Sequence, residues 1–140
     1  MIAPALGSLD ANVVLRLLLD DVPEQHELAL LLLREHGPLS VSDIAFIETI
    51  FVLGRAYGLT RAQQSQAVLG LLRQPGIVGS TELFERAFDN YAGHSKLSFE
   101  DCYLVAAANL SGNGPLWTFD KKLASQTEAQ LLTAENVATA

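Results

Sequence analysis

Short apolar runs alternate with longer stretches of helical periodicity along the chain. Five runs have the apolar content and flanking turn residues that predict β-strands, at residues 6–9, 38–41, 76–79, 115–118 and 130–133. Seven helices are predicted between them, at about residues 13–19, 23–36, 43–57, 61–74, 81–92 and 99–111, and from residue 121.

Capping residues mark several of these boundaries. Pro23 suits the first position of a helix, because its missing N–H has no partner there in any case. Ser42, Thr60 and Ser98 are preferred N-cap residues, and Gly58 is suited to end the third helix. The helix boundaries are therefore consistent with the periodicity.

Strands separated by helices predict βαβ units and a parallel sheet. We expect a single α/β domain over residues 1–140, built as a three-layer α/β/α sandwich with a central, mainly parallel sheet of four to five strands. In such folds the ligand site lies at the carboxyl ends of the strands.

The composition is that of a globular protein, with 49% hydrophobic and 18% charged residues. No apolar stretch approaches the about 20 residues that a membrane helix needs, and the single cysteine, Cys102, suits a reducing compartment. We expect a cytoplasmic protein with no membrane partner. The net charge of −7 does not itself indicate nucleic acid, so RNA binding would need a bound cation or a local basic patch.

Three aspartates lie where α/β sites form. Asp10 ends the first predicted strand and Asp120 follows the fourth, while Asp101 falls in the first turn of the sixth helix. Each has a plain alternative role, because Asp is a preferred N-cap residue and Asp101 fits the third position of a capping box begun by Ser98.

A fourth acid, Glu48, lies in the middle of the third helix. Its neighbours at helical spacing are apolar, which predicts that it shares the core-facing stripe with Ile44, Phe51 and Val52. A carboxylate there needs a partner. The alternative to a functional role is an ion pair with Arg55 or Arg16.

Taken together, the four acids predict a site for a hard cation. Clustered carboxylates without histidine or cysteine partners suit Mg²⁺ or Mn²⁺. Such a site can activate a water molecule and hold the oxygens of a phosphodiester during in-line displacement.

The segments around these acids resemble the four motifs of PIN domains, in the family's order and spacing over nearly the whole chain. They are LDANVVLR at residues 9–16, IAFIE at 44–48, FEDCYLVAAA at 99–108 and LWTFDKKL at 116–123. One such motif is a weak signal, whereas four in order are specific.

The resemblance implies a parallel sheet flanked by helices and metal-dependent cleavage of RNA. It carries Asp10, Glu48, Asp101 and Asp120 over as the acidic pocket that holds Mg²⁺ or Mn²⁺. It also implies that Asn12 and Thr118 support that pocket.

The short chain and its opening motif look most like VapC-like toxins, the ribonucleases of toxin–antitoxin pairs. This implies an RNA substrate, a small antitoxin that fills the acidic pocket, and a homodimer. Apolar residues of the third and fourth helices are candidate dimer contacts, with core positions as the alternative: Val52, Leu69 and Leu72.

Basic residues near the acids are candidates for contacts with RNA phosphates, although solvated surface positions are the commoner case for them: Arg16, Lys121 and Lys122. Cys102 is expected to be buried in a helix. Trp117 is expected in the core, because it lies inside a strand; the alternative is a platform that stacks on a nucleobase.

Three other classes of protein share some of these sequence features. A haloacid-dehalogenase-type phosphohydrolase needs a second aspartate where this chain has Asn12. A response-regulator receiver needs an acid pair by the first strand and an aspartate after the third, and this chain has Gly79-Ser80 at the latter place. The third is a PIN-fold interaction module without nuclease activity, which usually lacks some of the pocket acids.

Overall fold

A computed structural model describes Ala5 and residues 7–140. The strands are β1 (Ser8–Leu9), β2 (Leu39–Val41), β3 (Ile77–Val78), β4 (Trp117–Thr118) and β5 (Gln130–Leu131). The helices are α1 (Ala11–Leu18), α2 (Pro23–His36), α3 (Asp43–Arg55), α4 (Arg61–Leu72), α5 (Thr81–Gly93), α6 (Phe99–Leu110), α7 (Lys121–Gln126) and α8 (Ala134–Thr139). The five predicted strands are confirmed where they can be compared; Leu6, with which the first was predicted to begin, lies outside the described residues.

The predicted caps form as expected. The residues before α3, α4 and α6 are Ser42, Thr60 and Ser98. The hydroxyl of each accepts a hydrogen bond from the backbone N–H of the residue three positions later. Gly58 has a φ of 67°, a left-handed conformation that glycine adopts without strain and that reverses the chain after α3.

The last helix, α8, was not predicted. Thr133 caps it by accepting from the backbone N–H of Asn136, and the Asn136 amide donates to the carbonyl of Leu131 at 2.8 Å. Its one large apolar side chain, Val137, is 55% exposed. Side-chain hydrogen bonds, and not an apolar face, hold this helix against the rest of its unit. Hydrophobic periodicity therefore does not predict it.

The strands pair in parallel, which confirms the α/β class. Backbone hydrogen bonds join β1, β2 and β3 in that order, with Leu9 opposite Val41, and join β4 with β5, with Thr118 opposite Leu131. In Ala5 and residues 7–140, no helix has the length and apolar composition to cross a membrane.

The chain divides into two compact units, one up to Thr81 and one over Glu82–Ala140. In the N-terminal unit, α1 packs against α2 and α3, and α3 packs against α4. The core consists of side chains from these helices and from the three strands, among them Val14, Val41, Phe46, Leu53, Val68 and Ile77.

The C-terminal unit, residues 82–140, has an aromatic cluster and a smaller aliphatic one. The rings of Phe84 and Phe99 stack with centroids 5.8 Å apart, and the Phe88 ring lies 4.8 Å from that of Phe99. The aliphatic cluster includes Cys102, which is fully buried as predicted, and Leu123, which anchors α7.

The exposure of three apolar side chains decides two questions that the sequence raised. Leu69 and Leu72 are 8% and 4% exposed, which confirms the core as their position and not a dimer contact. The expectation for Trp117 is wrong. Trp117 is 37% exposed although it lies in β4. Side chains of a strand project from its two faces, so lying in a strand does not by itself bury a side chain.

Candidate active site

Asp10 lies directly after β1 and caps α1. Its Oδ1 accepts the backbone N–H of Val13 at 2.9 Å, so the plain capping role is confirmed. No hydrogen bond is found to its second carboxylate oxygen from any residue that the structure describes. The cap therefore fixes the carboxylate at the strand end while leaving one oxygen open to a ligand.

Glu48 does not lie on the core-facing stripe of α3. The buried face of that helix is formed by Ala45, Phe46, Thr49, Ile50 and Leu53. Ile44 and Phe51, which share the face of Glu48, are 70% and 54% exposed. Because α3 is apolar on nearly all sides, its periodicity alone does not identify the face that packs inward.

The ion pair considered for Glu48 does not form. Arg55 lies over the ring of Phe51, 5.5 Å from its centroid, and Arg16 bonds to Asp21. Across the described ranges, Glu48 has no hydrogen bond and no ion pair, so its charge is exposed to solvent and uncompensated.

One open pocket of about 430 Å³ contains both Asp10 and Glu48. It is lined by Ser8, Leu9, Asp10, Ala11, Ser42, Ile44, Ala45 and Glu48. The register explains this, because Leu9 pairs with Val41 and the residues that follow both strands emerge at one edge. From there Ser42 starts α3, which carries Glu48.

Asp120 caps α7 in the other unit. Its Oδ1 accepts the backbone N–H groups of Lys122 at 2.9 Å and Leu123 at 3.1 Å. The backbone N–H of Asp120 donates to Thr118 Oγ1 at 3.0 Å. Thr118 thus orients the Asp120 backbone, and the second carboxylate oxygen has no partner in the described part of the chain.

Asp101 lies half-buried in the first turn of α6. Its backbone N–H donates to Ser98 Oγ at 3.2 Å, which is one half of a capping box. The return bond, from the Asp101 carboxylate to the Ser98 backbone, is not found within residues 7–140. The capping role therefore belongs to Ser98, and the Asp101 carboxylate has no assigned partner.

The structure brings Asp10 and Glu48 together in one pocket. Among Ala5 and residues 7–140, no group of three or more His, Cys, Asp or Glu side chains is arranged closely enough to hold a metal ion. The donor chemistry nonetheless fits Mg²⁺ or Mn²⁺, since all four predicted ligands are carboxylates without a cationic partner in that range. Their joint role remains a prediction.

A second groove adjoins Asp10 between α1 and α2. It holds about 330 Å³ and is lined by Asp10, Asn12, Val13, Arg16, Gln25, Leu28, Ala29 and Leu32. The predicted supporting residue Asn12 therefore lies beside Asp10 on an exposed surface.

Arg16 in this groove is held by residues that the sequence did not single out. It bonds to Asp21 Oδ1 at 2.6 Å and donates to the Tyr57 hydroxyl at 3.3 Å, while that hydroxyl donates to Asp21 Oδ2 at 2.6 Å. The Tyr57 hydroxyl, with help from the Arg16 charge, holds the pKa of Asp21 below its ordinary value against the opposing effect of burial. Tyr57 lies 41 residues from Arg16, so no local pattern reveals the contact.

Lys121 and Lys122 are exposed in the first turn of α7 and make no ion pair within the described residues. Both remain free to contact an anion. Arg16, in contrast, is largely committed to Asp21.

Comparison with known proteins places these residues in a family. The PIN domain family model matches residues 8–128, so the chain belongs to the PIN domain family. No curated protein matches the sequence closely.

The structure is also similar to the crystal structure of VapC20 from Mycobacterium tuberculosis, described as a toxin that cleaves the sarcin–ricin loop. The two share 19% sequence identity and a TM-score of 0.42, over 85% of this chain and 93% of the VapC20 chain. All four motif acids lie inside the range matched by the family model.

Proposed function

We propose that this protein is a metal-dependent endoribonuclease that hydrolyses RNA phosphodiester bonds, as the toxin of a type II toxin–antitoxin pair. One observation carries the proposal. The four acids of the PIN motifs are present, and no cationic side chain in the described residues neutralises them. A fold that only needed caps would have no use for Glu48, which caps nothing.

Asp10, Glu48, Asp101 and Asp120 would hold Mg²⁺ or Mn²⁺. A bound divalent ion of this kind lowers the pKa of a water ligand and stabilises charge on phosphodiester oxygens. The backbone N–H groups that bond to Asp10 and Asp120 hold those carboxylates in fixed orientations. Glu48 and Asp101, which have no partner in the described residues, would be available to a ligand or would accept the proton of the attacking water.

Water is the nucleophile in this proposal. Cys102 is fully buried, and the Nδ1 atoms of His26 and His94 each lie within hydrogen-bond distance of a backbone carbonyl. None of these side chains is placed to attack a phosphorus atom.

RNA would reach the acids with the help of nearby cations. Lys121 and Lys122 are exposed beside Asp120 and would contact phosphates, which position a nucleic acid without reading its sequence. Arg16 would contribute less, because Asp21 already occupies its guanidinium group.

The toxin assignment adds partners and a location. It rests on the opening motif at residues 9–16 and implies an antitoxin with a basic side chain that enters the pocket of Asp10 and Glu48. It also implies a cytoplasmic protein and a homodimer, for which the half-buried Val52 of α3 stays a candidate contact. A monomer by light scattering at micromolar concentration would refute the dimer.

The test of function is cleavage of end-labelled RNA with Mg²⁺ or Mn²⁺, with and without EDTA. We expect internal cuts that require the metal. Cleavage that survives EDTA would overturn the mechanism. No cleavage of any RNA in either metal, from a folded protein, would favour the interaction module.

A further inference from the structure

Phe119 is the most exposed of the large hydrophobic side chains within the described residues. It lies between β4 and α7, next to Asp120, with 77% of its surface open to solvent. Trp117, two residues earlier, is 37% exposed. Single exposed apolar side chains are common on protein surfaces, so the exposure of Phe119 alone assigns it no role.

The backbone around Phe119 is fixed without help from its ring. The N–H of Asp120 bonds to Thr118 Oγ1, and the Asp120 carboxylate accepts two N–H groups from α7. The buried Leu123 then anchors that helix in the core of its unit. The turn would keep its shape with another residue at 119, so the ring does not serve local folding.

The other exposed phenylalanine differs in one respect. The face of Phe51 is already covered by the Arg55 guanidinium group, 5.5 Å from the ring centroid. No such cation or second ring lies on Phe119 in the part of the chain that the structure describes. Its face is therefore free for a planar ligand.

The surroundings of the ring suit single-stranded nucleic acid. Aromatic faces stack on nucleobases, and neighbouring cations follow the phosphates. Lys121 and Lys122 supply such cations two and three residues after Phe119. A purely apolar partner, in contrast, would have to desolvate these two ammonium groups and the Asp120 carboxylate.

We propose that Phe119 is a stacking platform for a nucleobase of the RNA substrate. The proposal rests on the proposed ribonuclease function. Because consecutive Cα atoms are about 3.8 Å apart, a base on this ring belongs to a nucleotide close to Asp120 and hence to the phosphodiester that is cut. Phe119 would bind and position RNA without taking part in the chemistry.

The test compares four variants made in the full chain: Phe119→Ala, Phe119→Leu, Phe119→Tyr and Phe51→Ala. Leu keeps apolar bulk but loses the aromatic face, Tyr keeps the face, and Phe51→Ala removes an exposed ring elsewhere. Thermal melts confirm that each variant folds. Affinity for a fluorescent single-stranded RNA octamer is measured in an Asp101→Asn background that does not cut it.

We expect the Ala and Leu variants at 119 to bind about 5- to 100-fold more weakly, as loss of one stacked base predicts, and the Tyr and Phe51→Ala variants to bind like the parent. Octamers with a single abasic site should show one position at which the parent loses affinity and the Phe119→Ala variant does not.

Equal binding by all four variants would overturn the stacking role while leaving metal-dependent cleavage by the wild type intact. A change in oligomeric state at unchanged RNA affinity would also overturn it, because the ring would then contact protein. If the wild type neither cuts nor binds RNA, the proposed function fails together with this inference.

Discussion

The two units each hold two of the motif acids, and they hold them in different ways. Up to Thr81, Asp10 and Glu48 come from separate elements and line one pocket, a product of the pairing of β1 with β2. In residues 82–140, Asp101 and Asp120 are each set by the local turn that starts a helix. Strand pairing brings Asp10 and Glu48 into one pocket, although a local cap also holds the Asp10 carboxylate. Short-range hydrogen bonds place the second pair.

A third kind of acid sharpens this comparison. Asp21 has an arginine and a tyrosine bonded to it, so the fold compensates its charge. The four motif acids have no such partner among the described residues. The fold thus compensates the charge of Asp21, and a ligand for the uncompensated motif acids is what we propose.

The largest expected effect is on cleavage by Asp10→Asn and Asp101→Asn, one substitution in each unit. Asn keeps the shape and caps a helix almost as well as Asp, so both proteins should fold. Cleavage should fall by more than about 100-fold, because loss of residues that merely orient a metal ligand already costs roughly 10- to 100-fold. Initial rates on labelled RNA measure this.

Glu100→Gln is the matched control for Asp101→Asn. It removes an exposed charge from the same helical turn but lies outside the predicted ligand set. Equal loss in both variants would mean that the net charge of the turn matters, and not the Asp101 carboxylate.

A smaller effect is expected from Thr118→Val. The change removes the oxygen that orients the Asp120 backbone, so cleavage should fall roughly 10-fold, with a stability loss of about 1 kcal/mol. Thr127→Val is the control, because Thr127 Oγ1 accepts a similar bond from Ala129 at 3.1 Å and donates to the Leu123 carbonyl at 2.6 Å, at the opposite end of α7 from the end that Asp120 caps. It should lose stability but not activity; a reversed result would remove Thr118 from the site.

The smallest effect concerns pH and Asp21. Since its pKa is lowered in the folded state, its contribution to stability is present above the unfolded pKa of about 3.9 and is lost as the pH falls through the folded value. Asp21→Asn should therefore be less stable than the wild type at neutral pH and equally stable in strong acid. Urea titrations at both pH values measure the difference.

Asp20→Asn is the control for Asp21, because Asp20 is exposed and has no partner in the described residues. It should show no such pH dependence. If both variants lose the same stability at neutral pH, the Tyr57 and Arg16 contacts do not stabilise the fold.

The sequence was most informative where one residue type decides the local structure. Helix starts at Ser42, Thr60 and Ser98, the stop at Gly58 and the five strands all followed from capping and turn chemistry. The prediction was wrong where two apolar faces compete, as on α3, since packing and not periodicity selects the buried one. The expectation for Trp117 was wrong for a related reason, because packing on the face of a strand decides which side chains are buried.

For the site, the family motifs identified the four acids, and local chemistry identified the caps that hold Asp10 and Asp120. The Arg16, Asp21 and Tyr57 contacts and the exposure of Phe119 arise from tertiary structure. Neither these contacts nor this exposure can be predicted from the local sequence.

The central claim is the proposal that the motif acids bind a divalent ion, and metal-dependent thermal melts test it most directly. Mn²⁺ at about 100 times its Kd would stabilise the wild type by about 2.7 kcal/mol. We predict that the melting temperature of the wild type and of Glu100→Gln rises with Mn²⁺, and that Asp10→Asn and Asp101→Asn both gain clearly less. An equal gain in all four proteins would contradict the claim, leaving Asp10 as a helix cap and Asp101 without a metal role.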